Sequence, residues 1–133
     1  MESLILHVSP AGSDKWNGKS SQHTKGDDGP FATIEKAQSV VRDSLAEDGG
    51  KPITVQIADG QYFLNKTLTF TADDAGSEDA PVVYAAAPGA APMISGGRPI
   101  TQWTEGQVNG KPCWIADVSD ISEDKRIFTQ LFV

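Results

Sequence analysis

Apolar and polar residues alternate at the start of the chain. Leu4, Leu6 and Val8 oppose Ile5 and His7, the period of a strand covered on at least one face. Residues 10–30 lose that period in Gly, Ser, Asn, Asp and Lys and read as a loop, interrupted by Trp16, which is expected to pin it. The spacing then becomes helical: Ile34, Ala37, Val41 and Leu45, with Val40 beside them, form one apolar stripe. Thr33 is the expected N-cap, and Glu35 places a carboxylate at the positive end of the helix dipole. Asp48-Gly49-Gly50 offers a left-handed exit, and Pro52 prevents the helix from resuming.

The remainder reads as β. Ile53-Thr54-Val55-Gln56-Ile57 alternates, turns at Asp59-Gly60 and continues through Tyr62-Phe63-Leu64, with Leu68-Thr69-Phe70-Thr71 as a further short strand. After the acidic loop 73–79 the pattern recurs in Val82-Val83-Tyr84-Ala85 and Pro92-Met93-Ile94-Ser95. Val55 to Val83 is 28 residues and Leu68 to Ile94 is 26, so two coils of a solenoid are expected, with Val55 and Val83 in adjacent parallel strands. An antiparallel meander is the alternative. Beyond Gly96-Gly97, the strand-like Ile100-Thr101-Gln102-Trp103, the turn Asn109-Gly110 and a returning strand from Cys113 to Ala116 predict a β-hairpin.

Composition narrows the function classes. Leu, Ile, Val and Phe supply 29 of 133 residues, about 22%, enough for a thin core. A net charge of −7 without a Lys/Arg block argues against nucleic-acid or anionic-membrane partners. The single cysteine, Cys113, excludes an internal disulfide and reads as a small buried hydrophobe on a strand. The apolar run after Met1-Glu2-Ser3 is too short, and lacks a basic lead, to be a signal peptide or a membrane span.

Candidate chemistry is sparse. Glycoside hydrolysis needs two carboxyl groups facing one another across a sugar, ~5 Å apart for retention or ~6.5–9.5 Å for inversion. The pairs Asp27-Asp28, Asp73-Asp74 and Glu78-Asp79 are sequence neighbours in loops, which rarely converge on one substrate. The 73–79 loop, like Asp14, Asn17 and Asp27, lacks the alternating acidic spacing of a calcium loop and reads as a solvated turn. No catalytic or metal-binding residue is assigned. His7 reads as a strand residue and His23 as exposed. Trp103 and Trp114 are expected to pack the hairpin onto the body, which leaves Trp16 as the candidate sugar contact.

Three stretches carry a family resemblance. The first runs Leu6-His7-Val8-Ser9-Pro10-Ala11-Gly12-Ser13-Asp14 and, after a gap, Gly29-Pro30-Phe31-Ala32-Thr33-Ile34-Glu35-Lys36-Ala37. The second is Asp74-Ala75-Gly76-Ser77-Glu78-Asp79-Ala80-Pro81-Val82-Val83-Tyr84. The third is Ile94-Ser95-Gly96-Gly97-Arg98-Pro99-Ile100-Thr101-Gln102-Trp103, followed later by Gln130-Leu131-Phe132-Val133. In this order they resemble the N-terminal region of bacterial secreted right-handed parallel β-helix proteins of the pectate-lyase-like superfamily, of the glycoside-hydrolase type. Thr129 departs from the pattern, standing where those proteins often place a basic residue.

The resemblance implies a mostly β fold: the N-terminal cap and first coils of a β-helix, with one capping α-helix and a β-hairpin insertion. The expected parts are 1–52 for strand, loop and helix, 53–99 for two coils, 100–127 for the hairpin, and 128–133 for the start of a next strand. It also implies a parent that is a secreted, periplasmic or cell-surface glycoside hydrolase acting on polysaccharide, with polysaccharide lyases as relatives. These residues are then a catalytically silent cap without a cofactor, calcium being an ion of later coils. The remaining expectations are self-association through the β edge at 128–133 and, as the alternative function, a self-contained carbohydrate-binding or adhesion module.

Overall fold

The computed structural model describes residues 2–47 and 50–119. Its elements run β1 (Leu4–Val8), α1 (Ile34–Glu47), β2 (Ile53–Ile57), β3 (Gln61–Phe63), a single 3-10 turn (Ala72–Asp74), β4 (Val82–Ala86), β5 (Met93–Ser95), β6 (Trp103–Val108) and β7 (Lys111–Ala116). The chain forms two units, Met1–Gly97 and Arg98–Val133.

In the first unit every strand pairing is parallel. β1, β2 and β4 form one sheet in that order, and β3 pairs with β5 in a second. The register stacks like on like. Leu6 lies beside Val55 and Val55 beside Tyr84, while Leu4, Ile53 and Val82 make a second row and Val8, Ile57 and Ala86 a third. Because strand side chains alternate between faces, these three rows all point to one side. There Leu6, Val8, Ile53, Val55 and Ile57 are buried together with Phe31, Tyr62 and the helix residues Ile34, Ala37 and Val41. Burial weakens at the last strands: Tyr84 is only half-buried, and Ile94 is 48% exposed beside a Tyr62 that is 5% exposed.

The parallel pairing excludes the antiparallel meander for this unit, with one shift from expectation. Val55 pairs with Tyr84, and Val83 pairs with Thr54. Val83 points away from the core and is 43% exposed, because Val82 and Tyr84 take the inward positions. A second expectation is corrected: residues 68–71 are not a strand. The Thr69 carbonyl instead accepts from the Gln38 side chain at 2.9 Å and from Arg42 Nη2 at 3.1 Å. Thr71 then caps the 3-10 turn, exchanging hydrogen bonds with Asp74 in a capping box. The strand that pairs with β5 is β3, so Ile94 lies beside Tyr62.

The helix starts where its cap predicts. Thr33 Oγ1 accepts from Lys36 N at 3.1 Å, satisfying one of the amides a helix start leaves unpaired. Ile34, Ala37 and Val41 are buried, and Val40 and Leu45 pack at the margin. The proposed exit at Asp48-Gly49 lies outside the described residues.

Loop backbone closes the free side of β1. His7 N donates to Gly18 O at 2.7 Å, Phe31 N to His7 O at 2.8 Å, and Ser9 N to Phe31 O at 2.9 Å. The outer edge of β1 is therefore hydrogen-bonded, which blocks pairing with another chain there. Gly18 makes this closure at φ +72, and a Cβ on it would overlap the Phe31 ring.

The second unit contains an antiparallel hairpin, β6 with β7. Asn109 and Gly110 occupy its two-residue turn at φ 51 and 75, the positive values of a type I′ turn. Residues 120–133, with Thr129 and the strand expected at 128–133, lie outside the described residues.

Candidate functional site

Trp16 is half-buried in the 10–30 loop and stacks on exposed His23, with ring centroids 4.3 Å apart and planes 9° from parallel. Its six-membered ring lies so close to Gly29 that any side chain there would collide with it. One indole face is thus covered by an imidazole, and any sugar contact at Trp16 would be made by the remaining exposed surface of the pair. His23 Nε2 lies 3.3 Å from Gly26 O, which ties the imidazole back to its loop.

Among the carboxylates flagged as candidate chemistry, Asp14, Asp28 and Asp74 have other work. Asp14 Oδ1 accepts from Ala32 N at 2.9 Å and Thr33 N at 3.0 Å, and Asp14 Oδ2 accepts from Thr33 Oγ1 at 2.8 Å. It braces the loop against the helix start. Asp28 accepts from Thr24 Oγ1, and Asp59 from Ala91 N. Asp74 corrects the reading of 73–79 as wholly solvated: its side chain is 3% exposed and forms an ion pair with Arg42. The Arg42 guanidinium and the Thr71 amide both donate to this carboxyl and hold it below the usual carboxylate range, against the opposing effect of burial. Among the described residues, no group of three His, Cys, Asp or Glu could hold a metal ion.

Two phenols line the inward rows. The Tyr62 hydroxyl lies 2.8 Å from Ala58 O and 3.2 Å from Val8 O, and burial pushes it up to about 12. Tyr84 is also pushed up to about 12 by burial and packs edge-on against Phe70, but its buried hydroxyl has no partner.

A solved structure described as a glycoside hydrolase is similar to this chain, with a TM-score of 0.65 and 25% identity over 78% of the chain. The fold is glycoside-hydrolase-like. This chain spans 17% of the length of that protein. Neither a family model nor a curated protein matches it.

The hairpin carries a feature that sequence spacing did not reveal. Trp103 faces Ala116, Glu105 faces Trp114, and Gln107 faces Pro112, so both tryptophans share one face with a carboxylate and an amide. They are 45% and 64% exposed. Trp103 Nε1 donates to Ile100 O at 2.9 Å, which fixes that indole. Cys113, expected to be buried, is half-buried on the opposite face beside Gly106. The legible signal would have been the turn itself: once Asn109-Gly110 is the two-residue loop, residues 103 and 114 follow on one face by counting outwards.

Proposed function

We propose that this chain is the capping portion and first coils of a right-handed parallel β-helix, belonging to a glycoside hydrolase that acts on polysaccharide outside the cytoplasm. One observation carries the reading: β1, β2 and β4 stack in parallel with their apolar rows in register, while β3 and β5 repeat the pairing in a second sheet. A solenoid produces this arrangement, and parallel crossovers are right-handed in almost all proteins. The similarity to a glycoside hydrolase supports the chemical class. Weakening burial at Tyr84 and Ile94 fits a sheet that accepts a further coil at β4 and β5.

These residues by themselves are catalytically silent in this reading. Asp14, Asp28, Asp59 and Asp74 each hold a loop, a cap or an ion pair, leaving no facing acid pair among them. Calcium, if the enzyme uses it, belongs to later coils. Release of reducing ends from a panel of plant and host polysaccharides tests the assignment. The enzyme carrying these coils should release them and residues 1–133 should not. Turnover by 1–133 alone, lost on mutating one of its carboxylates, would refute it.

A second reading, a self-contained carbohydrate-binding or adhesion module, rests on the partly exposed Trp16 in the polar 10–30 loop. Glycan-array binding by the isolated chain that disappears in Trp16→Ala would support it, and a blank array would count against it.

A further inference from the structure

We propose that the Trp103–Trp114 face of the hairpin, together with the cleft at its foot, binds a neutral glycan. The ligand class rests on the carbohydrate-active reading above, while the location rests on the hairpin alone. Register puts the two indoles at diagonal positions of one face, where side chains on a two-stranded ladder stand roughly 7–8 Å apart or less. Glu105 and Gln107 on the same face add an acceptor and an amide that can engage hydroxyl groups. Indoles offer flat apolar area with little rotamer entropy to lose, which suits the axial C–H faces of sugar rings.

Where the ladder ends, the chains on either side of it enclose a cleft of about 300 Å³ lined by Arg98, Thr101, Gln102, Asp117 and Ser119 among others. That volume is at the small end of ligand sites. The lining is polar rather than apolar, so it suits a polyhydroxylated ligand of about one sugar unit. Gln102 and Asp117 adjoin the Trp103–Ala116 pair in the chain, so the cleft opens where the ladder ends. Asp117 is oriented by the Ser119 amide at 2.9 Å. One cation and one carboxylate in the cleft, within a chain of net charge −7, favour a neutral glycan over a uronate polymer.

The test titrates the 1–133 chain with neutral cello-, xylo- and manno-oligosaccharides and with an oligogalacturonate, following the three indole N–H resonances by NMR. A neutral oligosaccharide should move the Trp103 and Trp114 signals. Trp114→Ala and Gln102→Ala should each weaken binding, roughly tenfold or more for the tryptophan, with circular dichroism unchanged. Trp16→Ala should leave binding intact. Binding that survives Trp114→Ala, or that moves only Trp16, would overturn the hairpin site while leaving the carbohydrate-active reading standing. Preference for the oligogalacturonate would overturn the neutral ligand class. No binding of any glycan by the folded chain would overturn the site, whereas the carbohydrate-active reading is decided separately by the reducing-end assay.

Discussion

Arg42 grips Asp74 with two parallel hydrogen bonds, Nε to Oδ1 at 2.7 Å and Nη2 to Oδ2 at 2.8 Å. The pair joins α1 to the turn that leads into β4, and the Thr69 carbonyl and Gln38 amide complete it. Bidentate geometry restricts both partners, which holds the helix and this turn in one relative position.

Acid should therefore loosen this unit. Asp74 is held below its unfolded value, which is ~3.9 for an aspartate. Its contribution is complete above the unfolded value and is lost as pH falls through the lower, folded one. Thermal melts between pH 7 and pH 2 should show the native chain losing more Tm below pH 4 than Asp74→Asn, which starts lower and changes less. Removing Arg42 alone should cost more than replacing both partners with apolar residues, because it strands a buried carboxylate.

The alkaline limb is governed by the two tyrosines, both raised to about 12 by burial. Between their unfolded value of ~10 and 12 the native chain binds more protons than the unfolded chain, so stability falls as pH rises through that window. Tyrosinate absorbance near pH 10.5 should be small in the native chain and should grow when urea is added. Tyr62→Phe should cost about 0.5–1.5 kcal/mol through its lost hydrogen bond, measured by urea denaturation.

The helix start should be sensitive to two residues far apart in sequence. Thr33→Ala removes the cap and should cost about 1 kcal/mol. Asp14→Ala frees Ala32 N, Thr33 N and the Thr33 hydroxyl together. It should cost at least as much, and the double variant should cost less than the sum of the singles, since Asp14 positions the cap.

Gly18→Ala should be damaging although the residue lies in a polar loop. It combines a left-handed backbone with overlap of the buried Phe31 ring, for about 2–4 kcal/mol in urea denaturation. Gly26→Ala, with a similar φ but nothing near its missing Cβ, should show only the backbone part of that cost.

What the sequence determined by itself was local. Alternation placed β1 and β2, helical spacing with Thr33 placed α1, and Asn109-Gly110 placed the hairpin, because each depends on side chains within a few residues of one another. Recurrence of the strand pattern also announced the parallel pairing, though not its register, since choosing between Val83 and Tyr84 as the inward residue needs the facing strand. Tertiary structure decided the rest. Residues 68–71 had strand-like composition, yet the Gln38 and Arg42 side chains claimed the Thr69 carbonyl from across the fold. Asp14 and Asp74 looked like solvated loop acids and became a brace and a buried ion-pair partner, because the groups they serve lie 18 to 32 positions away. Trp16, the candidate sugar contact, acquired His23 on one face. Trp103 and Trp114 came together on one hairpin face through cross-strand pairing. Short-range periodicity fixes an element's type, but long-range contacts decide which polar groups are satisfied, and hence which side chains remain available to a ligand.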